Sequence, residues 1–181
     1  MHTEDLKLEN FDYKLSYLNG YLAAISFLNS YSIIGIDCKL HAFEKKGLSI
    51  ADCLQNNAYA LFGVEPNDWS VTLEELPNWE ENLKTELNAS LNRRKASLGI
   101  KKENNLPSEN EHEAIKDLSK CIINVNNVFV NLLKHAFVAD SQMVYELKVK
   151  PTSGIYRIVG IDLVFEIANK NVLVLQVLGN D

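Results

Sequence analysis

The feature that most constrains the fold of this chain is a change of hydrophobic period near Asp140. On the N-terminal side, apolar residues recur at alternating steps of three and four through about three heptads, which is the pattern of one helix face. Apolar neighbours widen this stripe, which favours a central helix of an intramolecular bundle over a two-stranded coiled coil. The stripe consists of Ile115, Leu118, Ile122, Val125, Phe129, Leu132 and Ala136.

On the C-terminal side the period falls to two. Residues 142–150 alternate apolar and polar side chains, and residues 155–167 and 172–178 form two more apolar-rich runs. Gly160 interrupts the second run and predicts a bulge or a sharp bend. Because short turns join the three runs, they predict a three-stranded antiparallel meander.

Signals for several shorter helices precede the long one. The apolar pattern and the capping residues predict helices over residues 11–30, 38–46, 50–62 and 78–98, with one further helical turn near residue 73. Polar caps and glycine stops define these boundaries. The boundary residues are Asp37 and Gly47, Ser49 and Gly63, Thr72 with Glu75, and Gly99.

Together these patterns predict an α+β protein. An N-terminal helical bundle of about five helices, one of them long, would be followed by a C-terminal three-stranded antiparallel meander. The length of 181 residues fits a single domain over residues 1–181. The helical layer would occupy about 11–139 and the sheet about 142–178, with a flexible linker at 99–107.

Size and cysteine content indicate where such a protein resides. A chain of this length buries roughly 70% of its unfolded surface, so it needs no disulfide to hold a core. The three cysteines, Cys38, Cys53 and Cys121, are odd in number and widely spaced, which favours a reducing compartment. The acidic N-terminus is unlike a signal peptide, and the apolar runs are too short to cross a bilayer. We therefore expect a cytoplasmic protein, monomeric or dimeric, that does not act at a membrane.

The net charge of −6 is concentrated in one segment. Residues 65–87 carry seven acidic residues and one basic residue, so the remainder of the chain is neutral. Nucleic-acid binding requires a basic patch that neutralises phosphates. The best candidate, residues 93–102 with five basic residues, is short. The charge distribution therefore disfavours a nucleic-acid partner.

The two halves of this acidic segment have different explanations. The helix macrodipole favours acids in a first helical turn, and Trp79 heads an apolar stripe that we expect to face the core. The dipole does not explain the acids before that helix, nor Trp69, which we expect to be exposed in a loop. Acids around an exposed aromatic residue are typical of a hot spot for a basic protein surface. The predicted partner-binding residues are Glu65, Asp68, Trp69, Glu74, Glu75, Glu80 and Glu81.

Motifs for catalysis, metals and cofactors are weak. Cys38 and His41 could share a helix face, but no second pair completes a zinc site. Cys53, near a helix start, would need a histidine brought close by the fold, and its apolar neighbours favour core packing. No glycine-rich loop for phosphates occurs. We expect neither a cofactor nor a catalytic residue.

These observations favour a binding protein. The class that fits best is an immunity or antitoxin-type inhibitor that occludes the basic site of a toxin such as a nuclease. One alternative is an enzyme with a site between the helices and the sheet, and another is a secretion chaperone or adaptor that uses apolar helix faces. The enzyme would use strand residues whose ordinary interpretation is solvent-facing alternation, namely Glu146, Arg157, Asp162 and Glu166. Separately, Tyr13, Tyr17 and Tyr21 form a tyrosine stripe at i+4 spacing, which fits either a core boundary or a protein interface.

Overall fold

The structure, a computed structural model, describes residues 10–30, 35–63, 68–100, 109–137, 141–151, 160–168 and 170–180. The helices are α1 (Phe11–Ser30), α2 (Ile50–Asn56), α3 (Ala58–Phe62), α4 (Trp79–Ile100) and α5 (Glu109–Phe137). The strands are β1 (Gly35–Glu44), β2 (Trp69–Glu75), β3 (Ser141–Pro151), β4 (Gly160–Ile167) and β5 (Asn171–Asn180).

The sheet has five antiparallel strands in the order β1-β5-β4-β3-β2. The prediction of a helical bundle followed by a three-stranded meander is therefore wrong. Strands β3, β4 and β5 do pair in succession, but β1 and β2, from the part of the chain expected to be helical, extend the sheet at its two edges. The protein is a mixed α+β fold with strands in both halves of the sequence.

The two missed strands were masked by helix-like local signals. The expected helix over residues 38–46 falls largely in β1, which pairs with β5 over ten residues from Gly35 to Glu44. Likewise, Thr72 and Glu75 do not cap a helical turn, because both lie in β2 opposite β3. In both cases long-range pairing overrides a local preference, which is worth only fractions of a kcal/mol per residue.

Several helix boundaries follow the sequence signals closely. The Ser49 hydroxyl accepts a hydrogen bond from the Asp52 N–H at 3.1 Å, as an N-cap residue does. Gly63 ends α3 with φ of 66°, in the left-handed region. Gly99 does not end α4, which continues to Ile100. The rest of the expected linker, residues 101–107, lies outside the described residues.

One face of the sheet carries the larger core. Helices α1, α4 and α5 cover this face, and the expected burial of Trp79 is confirmed, with its ring edge-on to Phe165 at 5.4 Å. The buried Asn126 amide of α5 donates to the Leu87 carbonyl at 3.2 Å and to the Asn88 side chain at 2.8 Å, which aligns α5 with α4. No helix in the described part of the chain is both long and apolar enough to cross a membrane.

The opposite face carries a second core beneath the short helices α2 and α3. Cys53, Leu54, Ala58 and Leu61 of these helices pack against side chains of the sheet. The sheet is therefore a middle layer with helices on both faces. The sheet residues in this second core include Trp69, Leu147, Val164, Val172 and Val174.

Gly160 allows β4 to lie unusually close to β5. Its φ is +127°, and a Cβ at this position would lie 1.9 Å from the Val177 carbonyl oxygen of β5. Only glycine allows the two strands to approach this closely. The described part of β4 begins at Gly160, and residues 152–159 lie outside the described residues, so the expected bulge or bend within a strand over 155–167 stays a prediction.

Replacing Trp79 with alanine tests this core. Because the side chain is 6% exposed and packs on Phe165, we expect the free energy of unfolding to fall by about 3–5 kcal/mol in urea titrations. Tyr59→Ala is the matched control, since Tyr59 is 71% exposed and its loss should change stability by less than about 0.5 kcal/mol. Equal midpoints for the two variants would contradict the placement of Trp79.

Candidate functional site

The acids of the predicted binding segment separate into two groups in the structure. Glu74 and Glu75 lie at the end of β2, and both are exposed. Asp68 lies directly before this strand and is exposed as well. Glu65 lies outside the described residues. We call Glu74, Glu75 and the neighbouring Glu146 of β3 the acidic edge.

Glu74 faces a like charge across the strand pair. It lies directly opposite Glu146 in the β2–β3 register, and like charges in this relation destabilise a sheet. Glu146 forms an ion pair with Lys148 two residues on. Neither Glu74 nor Glu75 makes an ion pair with any described residue. Glu74 and Glu75 therefore carry negative charge that no described ion pair compensates, whereas Glu146 is paired.

Glu75 points to the opposite face of the sheet, toward α2 and α3. It lies opposite Tyr145 in the register. Burial raises the pKa of the Tyr145 hydroxyl, and the carboxylates of Glu166 and Glu75 raise it further. The acidic edge thus presents carboxylates on both faces of one edge strand.

Glu80 and Glu81 have partners and do not join this edge. Glu80 bonds the Lys134 ammonium of α5 at 2.7 Å, and Glu81 bonds Lys84 within α4 at 3.1 Å. These two acids act within the helical layer, as acids in a first helical turn commonly do. Their charges are locally compensated.

The expectation that Trp69 is exposed is wrong. The side chain is 5% exposed and packs on the Phe62 ring at 4.5 Å between centroids. Because Trp69 is the first residue of β2, strand alternation turns its ring toward the core beneath α2 and α3. Trp69 therefore anchors the start of the edge strand from within.

The polar residues of β4 are buried, and the expectation that they face solvent is wrong. Asp162 is fully buried and Glu166 is 9% exposed, although alternation suggested that both face solvent. Helices cover both faces of this central strand, so its polar positions are buried too. The surrounding run of apolar residues from Ile161 to Ile167 was the available signal, since such runs are typical of strands buried on both sides.

Glu166 forms a largely buried ion pair with Lys45 just after β1. Charges removed from water persist when they are paired in this way. Of the other residues proposed for an enzyme site, Glu146 lies half-buried at the acidic edge and Arg157 lies outside the described residues. The described members therefore do not converge on one cleft.

A surface cleft of about 380 Å³ reaches Cys53. Its lining includes Phe43, Glu44, Asn56 and Asn57, but neither His41 nor His135. Burial raises the pKa of the Cys53 thiol, and nearby Lys45 only partly opposes this shift. A raised pKa keeps the sulfur protonated and a poor nucleophile at neutral pH. The cleft thus lacks the activated cysteine that a nucleophilic enzyme needs.

Cys38 and His41 do not share a face. In the strand β1 their spacing of three places them on opposite sides of the sheet, with Cys38 in the core beneath α1. Within the described ranges, no group of three or more histidine, cysteine, aspartate or glutamate residues is placed to hold a metal ion.

Glu74→Thr tests the cost of the acidic edge. Removal of the repulsion between Glu74 and Glu146 should raise the free energy of unfolding by about 0.2–1 kcal/mol at low salt, and salt should reduce the gain. Urea titrations at about 50 mM and 500 mM NaCl provide the measurement. Glu81→Thr is the control and should not stabilise, because Glu81 is paired with Lys84. A loss of stability in Glu74→Thr would contradict this account.

His41 supplies a pH prediction. Burial lowers its pKa below the ordinary 6.5, with a contribution from Lys39 and opposition from a hydrogen bond with Gln176. The unfolded chain then binds a proton more readily than the folded one, so stability should fall as the pH decreases below about 6.5. In His41→Gln this part of the pH dependence should vanish. Urea titrations from about pH 7.5 to 5 measure the free energy of unfolding of the wild type and of His41→Gln. An identical pH dependence in the two proteins would contradict the prediction.

No protein-family model, curated protein or solved structure gives a significant match to the chain. Its function is therefore inferred from the geometry of its own residues.

Proposed function

We propose that the protein is a small binding protein that recognises a basic protein surface through the acidic edge. The observation that carries this proposal is the uncompensated charge of Glu74 and Glu75 at the end of an exposed edge strand. Asp68 at the start of the same strand adds a third exposed acid. Complementary charge of this kind speeds the encounter with a basic partner and selects against acidic ones.

The cost of the acidic edge to the folded protein supports this proposal. Glu74 faces Glu146 across the strand pair. An uncharged residue at either position would remove this repulsion and stabilise the folded protein. Residues that lower stability are characteristic of functional surfaces. Nucleic acids and anionic membranes would be repelled by the same carboxylates, so the partner class is a basic protein.

In its more specific form, the proposal is an immunity or antitoxin-type inhibitor. Enzymes that cleave nucleic acids need a basic site that holds phosphates. Carboxylates on a rigid strand can occupy such a site without any catalytic residue in the inhibitor. The concentration of the net charge of −6 in residues 65–87 agrees with this role.

A chaperone or adaptor is the second candidate, and the surface of α1 favours it. Tyr13 is 58% exposed and Phe27 is 61% exposed. Tyr17 and Tyr21 are half-buried, with their rings edge-on at 5.4 Å. The tyrosine stripe therefore runs from solvent into the core boundary, where exposed aromatic residues suit a protein contact. If this surface binds the partner, changes at the acidic edge leave affinity unchanged.

The decisive experiment compares two charge reversals of equal size. One variant carries Asp68→Lys, Glu74→Lys and Glu75→Lys, and the control carries Glu44→Lys, Glu113→Lys and Asp117→Lys at exposed positions elsewhere. A protein retained by the wild type from extracts of the native cells is purified, and its association rate is measured at about 50 mM and 300 mM salt.

We expect the edge reversal to slow association by roughly tenfold or more at low salt, with the difference shrinking as salt rises. The control variant should remain within about threefold of the wild type. If both variants associate equally fast, the acidic edge is not the recognition surface. The inhibitor form further requires that the wild type, and not the edge reversal, suppress a nuclease activity of the purified partner.

A further inference from the structure

The sheet has two edge strands, and α1 occupies the outer edge of β1. The Asn19 amide donates to the Leu40 carbonyl at 3.1 Å, and its oxygen accepts the Leu40 N–H at 3.1 Å. The Ser26 hydroxyl accepts the Cys38 N–H at 3.1 Å. These side chains take the positions that another strand would need. Covering an edge in this way prevents strand pairing.

The outer edge of β2 has no such cover among the described residues. Its register with β3 is regular from Trp69 to Glu75, and the next N–H, from Leu76, donates to the Val144 carbonyl at 2.9 Å. Because hydrogen-bonded and free groups alternate along an antiparallel edge, the N–H and C=O of Val71, Leu73 and Glu75 point away from β3. No described strand or side chain bonds these groups.

We propose that β2 accepts an extended segment of the partner as a sixth strand of the sheet. This inference rests on the proposed function, because Glu74 and Glu75 of the acidic edge belong to the same strand. Strand addition uses backbone hydrogen bonds for affinity and alternate side chains for specificity. The free backbone groups of β2 supply the hydrogen bonds, and its side chains on each face determine the specificity.

The side chains of β2 define the chemistry of the incoming strand. Val71 and Leu73 are half-buried on the face toward α2 and α3, so residues opposite them should be apolar. Ser70 and Thr72 are exposed on the other face, so residues beside them should be polar. Lysine or arginine should lie next to the acidic edge. The partner segment is thus an alternating apolar and basic strand.

A second copy of this chain fits the edge poorly. Antiparallel pairing of β2 with itself about Thr72 would set Glu74 of one copy opposite Ser70 of the other, with Asp68 as its diagonal neighbour on the same face. The strand contains no base, and each chain carries a net charge of −6. The acids of the two copies would repel each other, whereas a basic strand neutralises them.

The test uses a synthetic peptide of alternating valine and lysine, about eight residues long, to match β2. Binding is measured by calorimetry, and hydrogen exchange of the backbone amides is followed by NMR. In the complex, the amides of Val71, Leu73 and Glu75 should exchange more slowly. A peptide with glutamate in place of lysine should bind more weakly by roughly tenfold or more.

A proline at the free edge provides the matched variant. Because the Val71 N–H makes no bond within the sheet, Val71→Pro removes only an outward donor and blocks the approach of a strand. We expect it to weaken peptide binding by roughly tenfold or more, while Val71→Ala, which loses the same side-chain packing, stays within about threefold of the wild type.

The outcomes separate this inference from the proposed function. If Val71→Pro and Val71→Ala bind alike, or no β2 amide gains protection in the wild-type complex, strand addition is wrong. Charge recognition survives that result if the reversal at Glu74 and Glu75 still abolishes binding. Conversely, if Val71→Pro weakens peptide binding and the charge reversal at Glu74 and Glu75 does not, strand addition is upheld and the proposed charge recognition is wrong. If Val71→Pro fails to fold, hydrogen exchange in the wild-type complex still tests strand addition. Absence of peptide binding at millimolar concentration overturns the inference.

Discussion

The rest of the structure depends on a sheet whose two faces are both buried by helices. Strands β4 and β5 lie inside it, and their side chains enter the core beneath α1, α4 and α5 or the core beneath α2 and α3. Burial on both faces removes water from the side chains between Ile161 and Ile167 of β4 and between Val172 and Val177 of β5. Polar residues there must find partners within the protein, as Glu166 does with Lys45. Unpaired charges therefore cost less at the edges and outer surfaces of the sheet than inside it.

The two edge strands of the sheet differ in the cover of their outer backbone groups by described residues. At β1, two polar residues of α1 bond the outward backbone groups, so that Asn19 and Ser26 act as substitutes for a neighbouring strand. The same helix buries Leu18, Leu22 and Ile25 in the main core, so its position is fixed by packing and the cover of β1 is rigid. At β2, the buried Trp69 fixes the start of the strand and leaves its outer backbone open. Within the described ranges, the sheet therefore has one covered edge and one open edge.

How far the sequence predicts this fold depends on whether local and long-range forces agree. They agree in α5, where a sustained apolar stripe predicts a long helix, and at Ser49 and Gly63, where capping chemistry is local. They disagree in β1, whose sequence contains alanine, leucine, lysine and glutamate that favour a helix. Ten residue pairs with β5 outweigh that preference. The apolar residues of β1 from Ile36 to Ala42 do alternate with polar ones, so a period-two signal was present. The capping signals at Asp37 and Gly47 nevertheless favoured a helix over residues 38–46.

The candidate site was predictable to a similar degree. Clustering of acids in residues 65–87 directs attention to this segment, and its role in binding stays a prediction. The distinction between helix-start acids and preceding acids holds among the described ion pairs, because Glu80 and Glu81 are paired while Glu74 and Glu75 are not. The position of Trp69 could not be derived, because its burial follows from the strand character of β2. A tryptophan in a loop would be a surface anchor, whereas a tryptophan that begins a strand alternates inward.

Charge at an edge strand has a simpler explanation than recognition, since charged residues also prevent aggregation. The distribution of charge along β2 argues for a selective role. A protective charge is most effective at the centre of the edge, where any incoming strand must pass. Here the centre holds Val71, Thr72 and Leu73, residues with high β-propensity, and the glutamates stand at one end. In the proposed mode of binding, such an edge repels acidic strands and copies of itself but leaves a path for a basic one. On that proposal the acids select which strand can pair, and they do not close the edge.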